Sequence, residues 1–237
     1  MFGADAVRCV RRGGGGIPLS GLVAWYTMDN ISGSTLIDEM GNYNGTIYGA
    51  TPVAGVVGNA LDFTPPNYIE TNERFNFIHQ TCSFTYNTWL NCDKYNDGST
   101  YIFAGSAVAS LNRGFWMSYE DRIGSGDRAV RVDIYRGVNE SPTISLSIDL
   151  AQPASGWAMV TIQGNGSTVS IYINNVLVGS GAVGPKSTST ATRTVNIGRS
   201  NHTSGLLQWD GKIDETVIYN RPLSSSERQY WFDRGNI

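Results

Sequence analysis

From Leu22 onward the chain is a succession of short runs rich in Val, Ile, Thr, Tyr, Phe and Trp, broken by Gly, Asn, Pro and Ser. Such runs recur about every 8–12 residues, the spacing of an all-β sandwich or barrel. No sustained helical apolar period appears before the C-terminal stretch, which excludes a parallel sheet built with crossover helices. Strands are expected at Leu22 to Met28, Gly45 to Tyr48, Ala60 to Phe63, Tyr68 to Glu70, Cys82 to Asn91, Tyr101 to Gly105 and Phe115 to Tyr119. They continue at Ala129 to Tyr135, Thr143 to Asp149, Trp157 to Gln163, Thr168 to Ile173, Val176 to Gly179, Val195 to Ile197 and Gly211 to Tyr219.

Local turn chemistry supports this reading. Asn174-Asn175 sits between two strand-like runs, and asparagine tolerates the positive φ of a type I′ hairpin turn. Ser224 stands three residues before Glu227, a capping-box pattern that predicts one short helix over about Ser225 to Phe232. No internal repeat suggests a propeller or solenoid. A single domain over residues 21–237, preceded by an arm and glycine-rich linker over residues 1–20, is the simplest organisation.

The chain is sparsely charged: 16% of its residues are Asp, Glu, Lys or Arg, and 28 are glycine, against about a quarter charged in an ordinary soluble domain. A surface built from Ser, Thr, Asn and Gly suits sheets better than helices. A net charge of −3 without an extended basic tract argues against nucleic acid as a partner. No run reaches the roughly 18 apolar residues of a membrane helix, so no membrane insertion is expected.

Cys9, Cys82 and Cys92 cannot all pair within one chain. If Cys82 to Cys92 is one extended strand, its ends lie roughly 33 Å apart, against the 7 Å or so that a disulfide allows. Unpaired, buried cysteines and a reducing compartment of synthesis are expected.

Several phrases are familiar in order and spacing. They are Gly21-Leu-Val-Ala-Trp-Tyr-Thr-Met-Asp29, Gly41-Asn-Tyr-Asn-Gly-Thr46, Gly58-Asn-Ala-Leu-Asp-Phe63 and Ser83-Phe-Thr-Tyr-Asn-Thr-Trp89. Trp157-Ala-Met-Val-Thr-Ile162, Val169 to Gly179, Asn196-Ile-Gly198 and the most specific, Gly211-Lys-Ile-Asp-Glu-Thr-Val-Ile-Tyr-Asn-Arg-Pro-Leu-Ser224, follow. Together they resemble the laminin-G-like domains of the concanavalin A-like lectin/glucanase superfamily over residues 21–232. The resemblance implies an all-β, two-sheet antiparallel jelly-roll sandwich with one short C-terminal helix. It leaves function open, since one fold carries lectins, glycosidases and passive structural modules.

By the same resemblance, a glucanase would carry a Glu-x-Asp-x-x-Glu strand, and no such strand is present. Glu70 and Glu73 are wrongly spaced to share one strand face, and Asp127 and Asp133 show no partner glutamate. His79 and His202 come without an anchoring nucleophile motif. The chain therefore reads as non-catalytic. The resemblance further implies a structural Ca²⁺ at the sheet rim, with Asp29, Asn44, Gly45 and Asp214 at the matching positions. The competing reading has Asp29 capping a turn and Asp214 bonding backbone amides.

For carbohydrate binding the candidates are Trp116, Tyr119 and Trp209, whereas Trp25, Trp89 and Trp157 fall on core positions of the resemblance. Phe115-Trp-Met-Ser-Tyr119 puts large groups on both faces of its strand, as if one face met a ligand, a partner or the second sheet. The N-terminus has no signal-like apolar stretch, and Gly13 to Gly16 reads as a flexible connection. Arg8, Arg11 and Arg12 in the arm are candidate anchoring residues. An expectation follows of a surface-exposed module of a larger assembly such as a bacteriophage virion, homo-oligomeric, docked through residues 1–20 and gripping host-surface glycans. The alternative is a stand-alone, extracellular or cell-surface, lectin-like module.

Overall fold

The computed structural model describes residues 16–93, 98–105, 113–122, 127–136, 144–149, 156–184, 190–191, 193–200 and 208–236. Strands β1 (Leu22–Tyr26), β2 (Ile31–Ser32), β3 (Thr35–Leu36), β4 (Gly45–Tyr48), β5 (Thr51–Ala54), β6 (Asn59–Asp62) and β7 (Tyr68–Glu70) lead to a short helix, α1 (Phe77–Gln80). Then come β8 (Ser83–Cys92), β9 (Gly98–Gly105), β10 (Arg113–Arg122), β11 (Asp127–Arg136) and β12 (Ile144–Asp149). β13 (Ala158–Asn165), β14 (Thr168–Ile173), β15 (Val176–Ala182), β16 (Val195–Ile197), β17 (Gly211–Tyr219) and α2 (Ser225–Gly235) close the chain.

These strands form two antiparallel sheets. The first, sheet A, runs β15-β14-β13-β8-β17-β6-β5, with β1 also on β17; the second, sheet B, runs β12-β11-β10-β9-β16-β7-β4-β3-β2. β17 serves two neighbours along one edge: Lys212 and Ile213 pair with β6, and Thr216 to Tyr219 pair with β1. The register shift between Asp214 and Val217 makes this possible, with Glu215 at φ 47°. A bulge of this kind bends the strand and re-aims the side chains on either side of it.

Alternation builds the core between the sheets. Ile69, Ile197, Phe103, Met117 and Val132 form one register row across β7, β16, β9, β10 and β11. All five are fully buried, as are Phe84, Tyr86, Ile162 and Ile171 of sheet A. Tyr86 stacks on Phe103 at 4.2 Å, a ring contact from one sheet to the other. Each such side chain contributes about 1.5–3 kcal/mol by leaving water.

A second apolar cluster lies on the outer face of sheet A, under α2. Trp231, Trp89, Met159, Val217, Tyr219, Leu22 and Leu223 form it, with Trp25 and Trp157 packed against them. The three tryptophans expected in the sandwich core are therefore in this outer layer. Trp89 alternates with Leu90, which faces the core between the sheets, and the helix buries what the strand turns outward. The helix start is fixed as its sequence predicts: Ser224 Oγ accepts from Glu227 N at 3.3 Å, and a Glu227 carboxylate oxygen accepts from Ser224 N at 2.8 Å. Arg221 grips both oxygens of Glu227 at 2.9 and 2.6 Å and also donates to the carbonyl of Ser20.

Asn174 and Asn175 take φ 49° and 64°, the conformation their hairpin needs. Cys82 is buried and Cys92 half-buried, the latter ending the extended β8; Cys9 lies outside the described residues. β2, β3 and β5 were not expected: two are only two residues long, and β5 carries Pro52, tolerated because the strand is the edge of its sheet. Among the described residues no helix is long and apolar enough to cross a membrane.

Candidate functional site

Sheet B turns one face to the core, and its other face carries polar and aromatic groups in register. Glu70 pairs with Asn196, Asn196 with Ala104, Ala104 with Trp116, and Trp116 with Asp133. The adjoining row on the same face includes Tyr48 paired with Tyr68, and Ser118 paired with Arg131. Tyr135 lies two residues beyond Asp133 on β11, again on this side. Asp133, Ser118, Asn196 and Tyr135 are buried although they point away from the apolar core. This face is thus enclosed rather than flat.

Asp133 organises its centre. One carboxylate oxygen accepts the Trp116 indole N–H at 2.6 Å, and Arg131 pairs with the same carboxylate at 2.7 Å and 3.2 Å. The Trp116 ring meets Tyr135 edge-on, with centroids 4.7 Å apart. A buried carboxylate is tolerated when paired and hydrogen-bonded in this way, and the network fixes the orientation of the tryptophan. The result is an oriented aromatic group beside a neutralised donor and acceptor pair, the mixture of apolar surface and few placed polar groups that small-ligand sites use.

The residues expected for ligand binding divide. Trp116 is at the centre of this face. Trp209 is not on it: the side chain is 1% exposed and belongs to the core between the sheets. Packing against buried apolar neighbours leaves it no face for a sugar, so Trp209 is withdrawn as a binding residue. Tyr119 is placed in β10, opposite Val130, and its side chain lies outside the described part. Arg8, Arg11 and Arg12 lie outside the described residues. Asp133 was weighed only as a catalytic carboxylate and Arg131 and Tyr135 were not weighed for binding, yet their signal was legible: in β11 they alternate with Val130, Val132 and Ile134, which all face the core.

The rim residues expected to hold Ca²⁺ also divide. Asp29 and Asp214 both grip the β5–β6 turn: Asp29 accepts from Asn59 N at 2.7 Å, and Asp214 accepts from Val56 N at 2.8 Å and Val57 N at 3.1 Å. The second oxygen of Asp214 accepts from Glu215 N at 2.7 Å. Burial pushes the Asp214 carboxyl up to about 7 against these amides, and burial likewise raises Glu215, which Arg234 holds at 3.0 and 3.1 Å. Asn44 and Gly45 are engaged elsewhere. The Asn44 side chain accepts from Asp38 N, its carbonyl accepts from Asn72, and Gly45 pairs with Leu36. Asp38 itself is a buried hub that accepts the backbone amides of Trp25, Met40, Asn42 and Tyr43. Among the described residues no three His, Cys, Asp or Glu side chains converge for a metal. The fit to a cation is therefore confined to Asp29 and Asp214, with carbonyls and water supplying the rest. One Asp29 oxygen carries no hydrogen bond among the described residues, and the raised Asp214 carboxyl would gain from a positive charge.

Residues 64–227 match the family model described as the concanavalin A-like lectin/glucanases superfamily. Among solved structures, Domain 4 of AbnA, a GH43 extracellular arabinanase from Geobacillus stearothermophilus in complex with arabinotriose, is similar with a TM-score of 0.64 and 21% identity, over 90% of this chain and 98% of that one. A mutant of Trypanosoma rangeli sialidase displaying trans-sialidase activity is similar with a TM-score of 0.67 and 17% identity, over 94% of this chain but only 35% of that one. These likenesses show the fold. No curated protein sequence matches the chain.

Proposed function

The chain belongs to the concanavalin A-like lectin/glucanase superfamily, and from that premise we propose that it is a lectin-like module that binds carbohydrate on the enclosed face of sheet B without cleaving it. The observation that carries this is the Trp116, Asp133 and Arg131 arrangement: an aromatic ring oriented by a buried carboxylate that is itself neutralised. Aromatic rings stack on the apolar faces of sugars, while the partly exposed Arg131 guanidinium, held by the buried Asp133, can donate to hydroxyls. The similarity to an arabinanase domain solved with arabinotriose accords with a sugar ligand. Binding of labelled protein to a printed glycan array tests the reading, and Trp116→Ala should abolish the signals.

The reading as non-catalytic rests on the sequence, which holds no Glu-x-Asp-x-x-Glu strand.

The proposal includes a structural Ca²⁺ held by Asp29 and Asp214 at the rim, which would tie the β5–β6 turn to the segment after β1 and to β17. It also includes display of the domain by residues 1–20 within a larger homo-oligomeric assembly, for which a phage virion surface is one setting. The root of that arm supports the display: Ile17 packs on the outer cluster, Pro18 accepts from the Tyr219 hydroxyl at 2.9 Å, and Ser20 accepts from Arg221 at 2.8 Å. The chain thus enters the domain in a fixed place beside α2. Deletion of residues 1–15 should leave the melting temperature unchanged and abolish incorporation into the assembly; retained incorporation would remove the arm from this account.

A further inference from the structure

Away from Trp116 the same face of sheet B ends in a second aromatic group. Tyr48 and Tyr68 are paired across β4 and β7 and stack with centroids 4.4 Å apart and planes within 8°. Both stand opposite in sense to Ile69, which is fully buried in the core, so they share the outward face with Glu70 and Trp116. Tyr48 is 44% exposed, an unusual position for a large ring that ends a stack. The guanidinium of Arg199 lies 3.1 Å from the Tyr68 ring centroid.

Arg199 is half-buried, and its Nε is enclosed without a hydrogen-bond partner. No carboxylate among the described residues pairs with it: Glu70, two residues from Tyr68, instead accepts from the Thr194 hydroxyl at 2.6 Å. A guanidinium this close to a ring is held in place by it, while its charge is left unanswered by any carboxylate among the described residues. Its in-plane donors match a carboxylate in bidentate fashion, and a desolvated stack of this kind holds the cation in place.

We propose that Tyr48, Tyr68 and Arg199 form a distal subsite that takes a carboxylate-bearing sugar of a longer glycan whose body lies over Trp116. The inference rests on the carbohydrate-binding reading above and specifies the chemical class of its ligand. Spacing requires a chain: β10 and β7 are three strand spacings apart, about 14 Å, too far for a single sugar ring to touch both Trp116 and Tyr68. The ligand is thus a linear, acidic oligosaccharide running across the strands, its uronic or similar acid sugar lying against the edge of the Tyr48 and Tyr68 stack with its carboxylate paired with Arg199.

Calorimetric titration with size-matched oligogalacturonate and neutral galacto-oligosaccharide series, from dimer to hexamer, tests the subsite. Affinity for the acidic series should rise with length and exceed the neutral series by about tenfold or more at the hexamer, the scale of a charge-assisted hydrogen bond. Arg199→Gln should remove that preference, and Tyr48→Ala should weaken the acidic hexamer more than the acidic dimer, both with unchanged melting temperatures. Equal affinity for the two series, a preference that survives Arg199→Gln, or binding that does not grow with length overturns the subsite. If the protein binds on the glycan array but binds neither series, the subsite falls and the carbohydrate-binding reading stands. If it binds no glycan on the array, both fall.

Discussion

Trp116 and Asp133 face one another across the β10–β11 ladder, and the indole N–H of the first donates to the buried carboxylate of the second at 2.6 Å. Arg131, on the same face two residues before Asp133, supplies the opposite charge. The pair sets both the position of the aromatic ring and the polarity beside it.

Removing the acceptor should therefore act on stability as well as on binding. Asp133→Ala leaves the Trp116 and Arg131 donors without this partner in an enclosed place, and a loss of about 1–3 kcal/mol is expected. Trp116→Phe removes the donor alone and should give a smaller loss. Urea unfolding of the three proteins checks the order, and an Asp133→Ala variant as stable as the parent would contradict it.

The C-terminal helix depends on a compact polar staple. Glu227 caps the helix through Ser224 and receives Arg221 through both oxygens. Glu227→Gln should lower stability by about 1 kcal/mol, combining a weakened cap with a lost ion pair that is partly open to solvent. Trp231→Ala should be more damaging, about 3–5 kcal/mol, because that ring fills the layer between α2 and sheet A and donates to the Tyr219 hydroxyl at 3.0 Å. Thermal melts followed by near-ultraviolet circular dichroism would register both.

The Arg221 hydrogen bond lowers the Glu227 carboxyl from its ordinary 4.5 to about 2. A depressed folded-state pKa stabilises the fold above the unfolded value, and that contribution fades as pH falls from about 4.5 toward 2. Between pH 5 and pH 3 the parent should lose more stability than Glu227→Gln does. Parallel acid-unfolding curves for the two proteins would show that this pair carries no linkage.

Asp214 has the opposite sign. Burial raises its carboxyl to about 7, so without a cation its contribution is fullest below about 3.8 and is lost as pH rises through 7. Calcium at the Asp29 and Asp214 rim should reverse that loss, raising the melting temperature at pH 8 relative to chelator and having much less effect at pH 5. Coincident melts in calcium and chelator at pH 8 would remove the ion from this account.

Much of the fold is legible in residue order. Gly45–Tyr48, Tyr68–Glu70, Thr168–Ile173, Val195–Ile197 and Gly211–Tyr219 form strands with the bounds their periodicity predicts, and the Ser224 capping box starts α2 where expected. The helix runs on to Gly235, because packing of Trp231 and Phe232 on the outer cluster carries it past the local pattern. What alternation cannot say is which of two aromatic positions meets solvent. Trp116 and Trp209 looked equivalent, and only the second sheet decides that Trp209 is core. The outer tryptophans mislead for the same reason, since a helix distant in sequence covers an otherwise exposed strand face. Asp38 escaped notice because its role, accepting amides from Trp25 through Tyr43, exists only once that loop has closed. Arg199 likewise gains its meaning from Tyr68, a residue far away in sequence.

The central claim is that the face of sheet B around Trp116 binds carbohydrate. Its most direct measurement is calorimetric titration of the strongest glycan-array ligand into the parent protein and into a Trp116→Ala variant with an unchanged far-ultraviolet spectrum. The account predicts saturable binding to the parent and a loss of at least about tenfold in the variant, in keeping with an aromatic anchor. Equal affinity for the two proteins would contradict it and place the sugar elsewhere on the molecule.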